Sequence, residues 1–138
     1  MRARWSLVSL LLGAVILGLG AVSAGQGHTL RVEPGGSIQA AINAANPGDT
    51  IEVPAGTYRE NLVITKPVAL IGAGAGKTVI ESVVEDHPVI TIESGRPIEV
   101  RLAGVTVTGG LGGLVVRGRA QVTVEDSTVS GNAAAASG

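Results

Sequence analysis

The chain is 138 residues long, with 10 Lys and Arg against 11 Asp and Glu and a formal net charge of −1. It contains no cysteine, no phenylalanine, one tryptophan and one tyrosine. The charge balance offers no electrostatic footprint for nucleic acid or an anionic membrane. The missing cysteines exclude disulfides, thiolate metal sites, thiol nucleophiles and lipoprotein modification.

Arg2 and Arg4 give a basic start, and from Leu7 to Gly20 every residue except Ser9 is apolar or glycine. This run is short of the roughly 20 residues that span a bilayer. Val22 and Ala24 then stand at the −3 and −1 positions of a signal-peptidase site. Residues 1–24 are therefore expected to form a signal peptide cleaved after Ala24, with the mature protein exported to the periplasm or beyond and no membrane contact after cleavage. The alternative is an uncleaved anchor. The mature part keeps eight basic and eleven acidic side chains, and because Trp5 lies in the signal, Tyr58 is its only aromatic residue. A core of Val, Ile, Leu and Ala suits thin, repetitive β-layers better than a compact globule.

Leu30 to Val32 reads as a short strand closed by Glu33-Pro34-Gly35-Gly36. Ser37 sits where an N-cap belongs. Ile38, Ala41, Ile42 and Ala45 follow at i, i+3, i+4 and i+7, the apolar face of a short helix. Asn46-Pro47-Gly48-Asp49 ends it, since the residue before proline is pushed out of the helical region. Short strands follow: Thr50–Val53, Leu62–Ile64, Val68–Ile71, Thr78–Ile80, Val89–Ile92, Glu99–Leu102, Val105–Val107, Leu114–Val116, Gln121–Val124 and Thr128–Val129. Gly, Pro, Asn or Asp separates most of them, which points to a sandwich or a solenoid. Pro54 to Tyr58 reads as a corner, with the Tyr58 ring packed on it, and Lys66-Pro67 as a bend.

An internal repeat decides for the solenoid. Shifting the chain by 22 residues puts Val100 on Val122, Leu102 on Val124, Thr106 on Thr128, Val107 on Val129, Thr108 on Ser130 and Gly109 on Gly131. One such repeat is one turn of a parallel β-helix, in which like residues stack on like. Alternation points Val100, Leu102, Val122 and Val124 inward and Glu99, Arg101, Gln121 and Thr123 outward. The expected fold is all-β: a single-stranded right-handed parallel β-helix (solenoid), only its first few coils, with a short N-terminal capping helix. The helix covers the exposed core and sheet edge of the first coil, which would otherwise invite aggregation. The divisions are a signal peptide at 1–24, a strand and capping helix at 25–46, and coils at 47–138.

The tract SIQAAINAANPGDTIEVPAGTYRENLVITKPVALIGAG, Ser37 to Gly74, resembles the first coil of pectin-lyase-like β-helix proteins. Within that group it is most similar to the periplasmic NosD-type proteins and the carbohydrate-binding and sugar-hydrolase repeat domains. The resemblance implies the fold and not one activity, because the same opening precedes lyases, esterases, accessory proteins and adhesins. Val53, Pro54, Gly56 and Tyr58 also match an early pectin-esterase signature, with Glu52 a departure from it. The later glutamine and aspartate motifs of those esterases have no counterpart.

Four polar groups invite a chemical reading. Gly72 to Thr78 is one residue short of a P-loop and continues as strand, so it reads as a glycine-rich coil turn. Glu85-Asp86-His87 reads as a solvated loop inserted between Ile80 and Val89, since a metal usually takes three or four ligands and the other histidine, His28, is distant in sequence. Glu125-Asp126 reads as a turn in which Asp accepts local backbone bonds, because Ala103 and Gly104 stand 22 residues earlier and stack no second carboxylate beside it. Arg117 and Arg119, flanking Gly118, read as a solvated corner, with acidic sugars or Glu125 as candidate partners. No catalytic, metal-binding or cofactor-binding residue is assigned, and no cofactor is expected.

The leading functional expectation is an exported, non-catalytic scaffold or accessory binding module. One alternative is the N-terminal part of a polysaccharide lyase, hydrolase or esterase with its active site in later coils. Another is a surface adhesin. Polysaccharide or another exported protein is the expected partner. The last coil, ending near Asn132 and followed by a small-residue tail, is expected to be incomplete, to expose Val122, Val124 and Val129, and to self-associate.

Overall fold

Short runs of alternating apolar and polar residues cannot bury a face alone, and in this chain they do so by stacking on the next run of the same kind. A computed structural model describes residues 27–132. The expected signal peptide at 1–24 and the tail at 133–138 lie outside the described residues. The elements in order are β1 (Thr29–Arg31), α1 (Ile38–Ala44), β2 (Thr50–Val53), β3 (Gly56–Arg59), β4 (Leu62–Ile64), β5 (Ala69–Gly72), β6 (Thr78–Glu81), β7 (Ile90–Ala103), β8 (Thr106–Thr108), β9 (Leu114–Glu125) and β10 (Thr128–Val129). Every strand pair is parallel, and the chain winds as a right-handed β-solenoid of about 5 turns.

Three faces result. Face A stacks β1, β2, β5 and the second halves of β7 and β9; face B stacks β3, β6, β8 and β10; face C stacks β4 and the first halves of β7 and β9. The core is a set of ladders, one residue per coil. Leu30, Ile51, Leu70, Leu102 and Val124 form the ladder of face A. Tyr58, Ile80, Val107 and Val129 form that of face B. Face C has two, Leu62–Ile90–Leu114 and Ile64–Ile92–Val116. The middle rungs are wholly buried, with Ile51, Leu70, Ile80, Ile90 and Ile92 each at 0% exposure.

The helix lies where its apolar face requires. Ser37 is its N-cap and accepts from Ala40 N–H, and Ile38 and Ile42 are buried. Ala45, the C-cap, is buried too, and Ala41 packs on the core half-buried. The next coil holds both ends. Glu60 accepts from Ser37 Oγ at 2.8 Å, Ile38 N–H at 2.6 Å and Gln39 N–H at 3.2 Å. Lys66 Nζ donates to the carbonyls of Ala45 at 2.6 Å and Asn43 at 3.3 Å. A carboxylate at the amino end and an ammonium at the carboxyl end both complement the helix dipole. Gln39 also acts as a strand substitute on the β4 edge: its Oε1 accepts from Val63 N–H at 2.8 Å and its Nε2 donates to the Val63 carbonyl at 3.1 Å. The helix thus covers the core and pairs part of the edge.

Asp49, buried at the helix exit, accepts from His28 N–H and Asn46 N–H, both at 2.8 Å. Those two bonds, Asn46 first, hold its carboxyl below the usual aspartate range, assisted by the nearby His28 and Lys66 charges and opposed by burial.

Two features differ from the sequence reading. Residues 56–59 form a strand instead of the second half of a corner, and Tyr58 points inward, 5% exposed, in register with Ile80. The corner shrinks to Pro54-Ala55 because Gly56 N–H already joins the ladder through the Lys77 carbonyl. The phenol keeps one link to the corner, donating to the Pro54 carbonyl at 2.9 Å. The pairs Val89–Ile92 with Glu99–Leu102, and Leu114–Val116 with Gln121–Val124, are not four separate strands. Each pair merges into one strand bent round the corner from face C to face A, because pairing continues through Glu93–Arg117 and Ser94–Gly118 and resumes at Ile98–Ala120.

Candidate functional site

Coil length decides where the surface departs from regularity. On face A equivalent positions run Thr29, Thr50, Ala69, Arg101 and Thr123, spacings of 21, 19, 32 and 22 residues. The long coil carries two insertions. The first is the loop from Ser82 to Val89 between faces B and C. Asn61, one coil earlier, anchors it: its Oδ1 accepts from Val83 and Val84 N–H, and its Nδ2 donates to Ser82 Oγ and the Pro88 carbonyl. The second insertion is at the corner between faces C and A, where three residues, Gly95-Arg96-Pro97, oppose the single Arg119 in the next coil. Ser94 Oγ accepts from Arg96 N–H at 3.1 Å and steadies the bulge.

This second bulge makes a ridge with grooves on its flanks. One, of about 320 Å³, is lined by Pro67, Pro97, Ile98, Glu99, Arg119 and Gln121. A second, of about 450 Å³, shares Pro67, Pro97 and Ile98 and adds Pro47, Thr65, Lys66 and Arg96. A third, of about 570 Å³, runs past Arg96 to Glu93 and Arg117. Prolyl and aliphatic groups line the grooves together with the cations Arg96, Arg117, Arg119 and Lys66 and the acids Glu93 and Glu99. Lys66 is engaged with the helix end, and Arg117 lies 3.9 Å from Glu93. Among the described residues, Arg96 and Arg119 make no ion pair. Gly118 between the two arginines has φ +75°, and a Cβ there would stand 2.3 Å from the Ser94 carbonyl oxygen. Only glycine fits this backbone, and it fixes where Arg117 and Arg119 emerge.

Arg117 and Arg119 stand exposed at the corner, as the sequence reading has them, and Glu125, one of their two candidate partners, is engaged elsewhere. Glu125 hydrogen-bonds Arg101 Nη2 at 2.9 Å, and Arg117 sits beside Glu93, its Cα partner one coil down. The offset is 24 residues on face C and 22 on face A, since the bulge absorbs the difference. A single 22-residue shift therefore finds the second half of the strand and misses the first. Arg101 and Glu125 reinforce each other, the hydrogen bond chiefly raising the guanidinium pKa and lowering that of the carboxyl.

The remaining polar groups fall as follows. Ala73 to Lys77 is a turn between β5 and β6, with Ala73 N–H bonded to Thr78 Oγ1 and Gly76 N–H to Thr106 Oγ1. Glu85, Asp86 and His87 are exposed, with Asp86 Oδ1 and His87 Nδ1 2.7 Å apart. Asp126 occupies a left-handed turn position, φ 48°, one coil above Gly104 at φ 68°. Ser127 carries that turn's bonds, its Oγ accepting from Val105 N–H and donating to the Glu125 carbonyl. Among the described residues, no group of three or more His, Asp or Glu side chains is placed to hold a metal ion. Sequence reasoning missed Arg96, whose signal is the extra Gly95-Arg96-Pro97 segment, the capping roles of Glu60 and Lys66, and the loop anchor Asn61.

Among the described residues, fold and surface define a right-handed parallel β-helix with a proline-lined corner that carries several cations. A scan of protein-family models and a search of curated proteins find no match to this chain.

Proposed function

We propose that the chain is an exported, non-catalytic β-helix module of the pectin-lyase-like, NosD-type group, and that its C–A corner binds an acidic polysaccharide. The observation that carries this reading is the pair Arg96 and Arg119, free of ion pairs among the described residues and set along grooves lined by Pro67, Pro97 and Ile98. Guanidinium groups match carboxylates geometrically, and the prolyl and aliphatic lining suits the apolar face of a sugar ring. The usual aromatic platform has no counterpart on this surface, since Tyr58 is buried in the core. Recognition by this corner therefore rests on charge and shape. The Arg2/Arg4 start, the apolar run and the Val22/Ala24 pattern support export.

Calorimetry or affinity electrophoresis with polygalacturonate, against a neutral glucan, tests the binding. The acidic polymer is expected to bind, less tightly as salt rises. The double variant Arg96→Ala/Arg119→Ala should lower affinity roughly tenfold or more. Equal retention on the neutral glucan, or an unchanged double variant, overturns the assignment. Export is tested separately by mass spectrometry of secreted or periplasmic protein, with Gly25 expected at the N-terminus and an intact Met1 in the membrane fraction as the contrary result.

A further inference from the structure

One coil carries both insertions, and they bracket face C: the Ser82–Val89 loop stands at its B–C corner and the Gly95–Pro97 bulge at its C–A corner. The loop lies between described coils, bonded to Asn61 in the coil before and, through the His87 carbonyl, to Leu111 in the coil after. It is built to hold an apolar tip outward. Val83 and Val84 are 52% and 41% exposed, yet their backbone is fixed. Asn61 Oδ1 accepts from both N–H groups, and the Val84 carbonyl accepts from Ser82 Oγ at 2.7 Å and His87 N–H at 3.0 Å. Exposed Glu85 and Asp86 follow the tip. Among the described residues Glu85 makes no ion pair, and Asp86 meets only the adjacent His87. The C–A corner is the converse surface, with Arg96 and Arg119 beside Pro67, Pro97 and Ile98. Four cations and two acids line its grooves, a surplus of two positive charges that Glu85 and Asp86 match. Between the two corners the outward row of face C is Val63, Thr91 and Val115, without charge. Faces A and B instead carry outward ion pairs, Arg31 with Glu52, Arg59 with Glu81 and Arg101 with Glu125.

We propose that two copies of this chain pair through face C, with the Val83–Asp86 tip of each seated on the Arg96/Arg119 corner of the other. The symmetry follows from the placement. Loop and bulge belong to one coil, so a two-fold axis parallel to the solenoid axis keeps them at the level of that coil. It also sets the B–C corner of each copy opposite the C–A corner of the other. A two-fold lying across the coils would face loop with loop, acid against acid. In the parallel arrangement valines meet prolines and Ile98, carboxylates meet guanidinium groups, and the uncharged row of face C meets its own copy, as an isologous interface requires. The loop is already fixed by Asn61 and Ser82, so little ordering is lost on docking. Both contacts are used in one pair, and association closes at a dimer. The carboxylates of the second copy thus take the place that an acidic polymer takes at this corner, and the pairing itself needs no polysaccharide.

Sedimentation velocity on the purified protein over roughly 1–100 μM is the test, with no polysaccharide present, so its failure is separate from failure of the binding reading above. The expected result is a monomer–dimer equilibrium. Glu85→Lys/Asp86→Lys reverses the loop and Arg96→Glu/Arg119→Glu reverses the corner. Each alone puts like charges together at both contacts and should weaken its own dimer about tenfold or more, with far-UV circular dichroism unchanged. An equimolar mixture of the two is the decisive sample. In the mixed pair the reversed loop meets the reversed corner and the native loop meets the native corner, so a heterodimer should form about as tightly as the wild-type dimer. Should a reversal fail to fold, the neutral variant Glu85→Gln/Asp86→Asn provides the decision, by a smaller weakening of the dimer. A monomer throughout the range, species growing beyond the dimer, a dimer indifferent to the folded variants, or a mixture that pairs no better than its components would each overturn the proposal.

Discussion

Ile42 is the sharpest probe of how the first coil is closed. Its side chain is 1% exposed, and α1 is only seven residues long, with Ile38 the other large buried anchor. Ile42→Val removes one methylene, about 1 kcal/mol. Ile42→Ala removes three carbons, about 2.4 kcal/mol of transfer free energy, and the cavity left behind raises the total to roughly 3 kcal/mol. Ile42→Asp loses the whole apolar contact and leaves a carboxyl without a partner, for a total beyond about 5 kcal/mol. Small domains hold only about 5–15 kcal/mol in all, so the last variant should lift the cap. The core and the β4 edge would then be bare, and soluble protein should be lost to aggregation. Ala40→Gln, on the exposed side of the same helix, should stay within about 0.5 kcal/mol. Thermal melting followed by far-UV circular dichroism reads the series, with about 4–8 °C expected per kcal/mol. An Ile42→Asp protein with wild-type solubility and melting would refute the idea that α1 closes the core.

Glu60→Gln keeps the shape of the side chain that caps α1 but removes its charge and one of its acceptors, and urea denaturation should register a loss of about 1–2 kcal/mol. Asp49 has a lowered pKa in the folded protein, so its contribution is complete above the ordinary aspartate value of 3.8 and is lost as pH falls from there toward the lower folded value. Melting temperature should therefore drop across that acidic window, and Asp49→Asn should start lower at neutral pH and show a shallower acid decline. Gly118→Ala combines a left-handed φ with a Cβ 2.3 Å from the Ser94 carbonyl oxygen, and equilibrium unfolding should show at least about 2 kcal/mol of destabilisation.

Much of the fold was legible because a ladder repeats residue types. The 22-residue match of Val100, Leu102, Thr106 and Val107 with Val122, Val124, Thr128 and Val129 is also the observed register. The helix was legible from Ser37 and the spacing of its isoleucines, both local signals. Tyr58 was misplaced because a proline–glycine corner hides where pairing begins, and the Lys77 carbonyl that fixes it lies 21 residues from Gly56. Glu60, Lys66 and Asn61 escaped for a related reason. Each is polar, sits at a turn and looks solvated, and its partner belongs to an adjacent coil or to α1.

The corner grooves were illegible for a further reason, and it bears on where function can reside in such a fold. A ladder position is constrained from both sides, since its side chain packs on equivalents above and below. Arg31 with Glu52, Arg59 with Glu81 and Arg101 with Glu125 show the same constraint on the outer faces, where charges meet partners one coil away. An insertion escapes it. The coil between Ala69 and Arg101 holds both the Ser82–Val89 loop and the Gly95–Pro97 bulge, and each is steadied by a few side-chain bonds from outside the ladder, through Asn61 and Ser94. The bulge leaves Arg96 and Pro97 exposed and outside the register with the next coil, so their side chains can face a ligand without disturbing the stack. Repeat-matching skips such residues because they have no equivalent in the next turn. The same irregularity identifies them as the positions to substitute first.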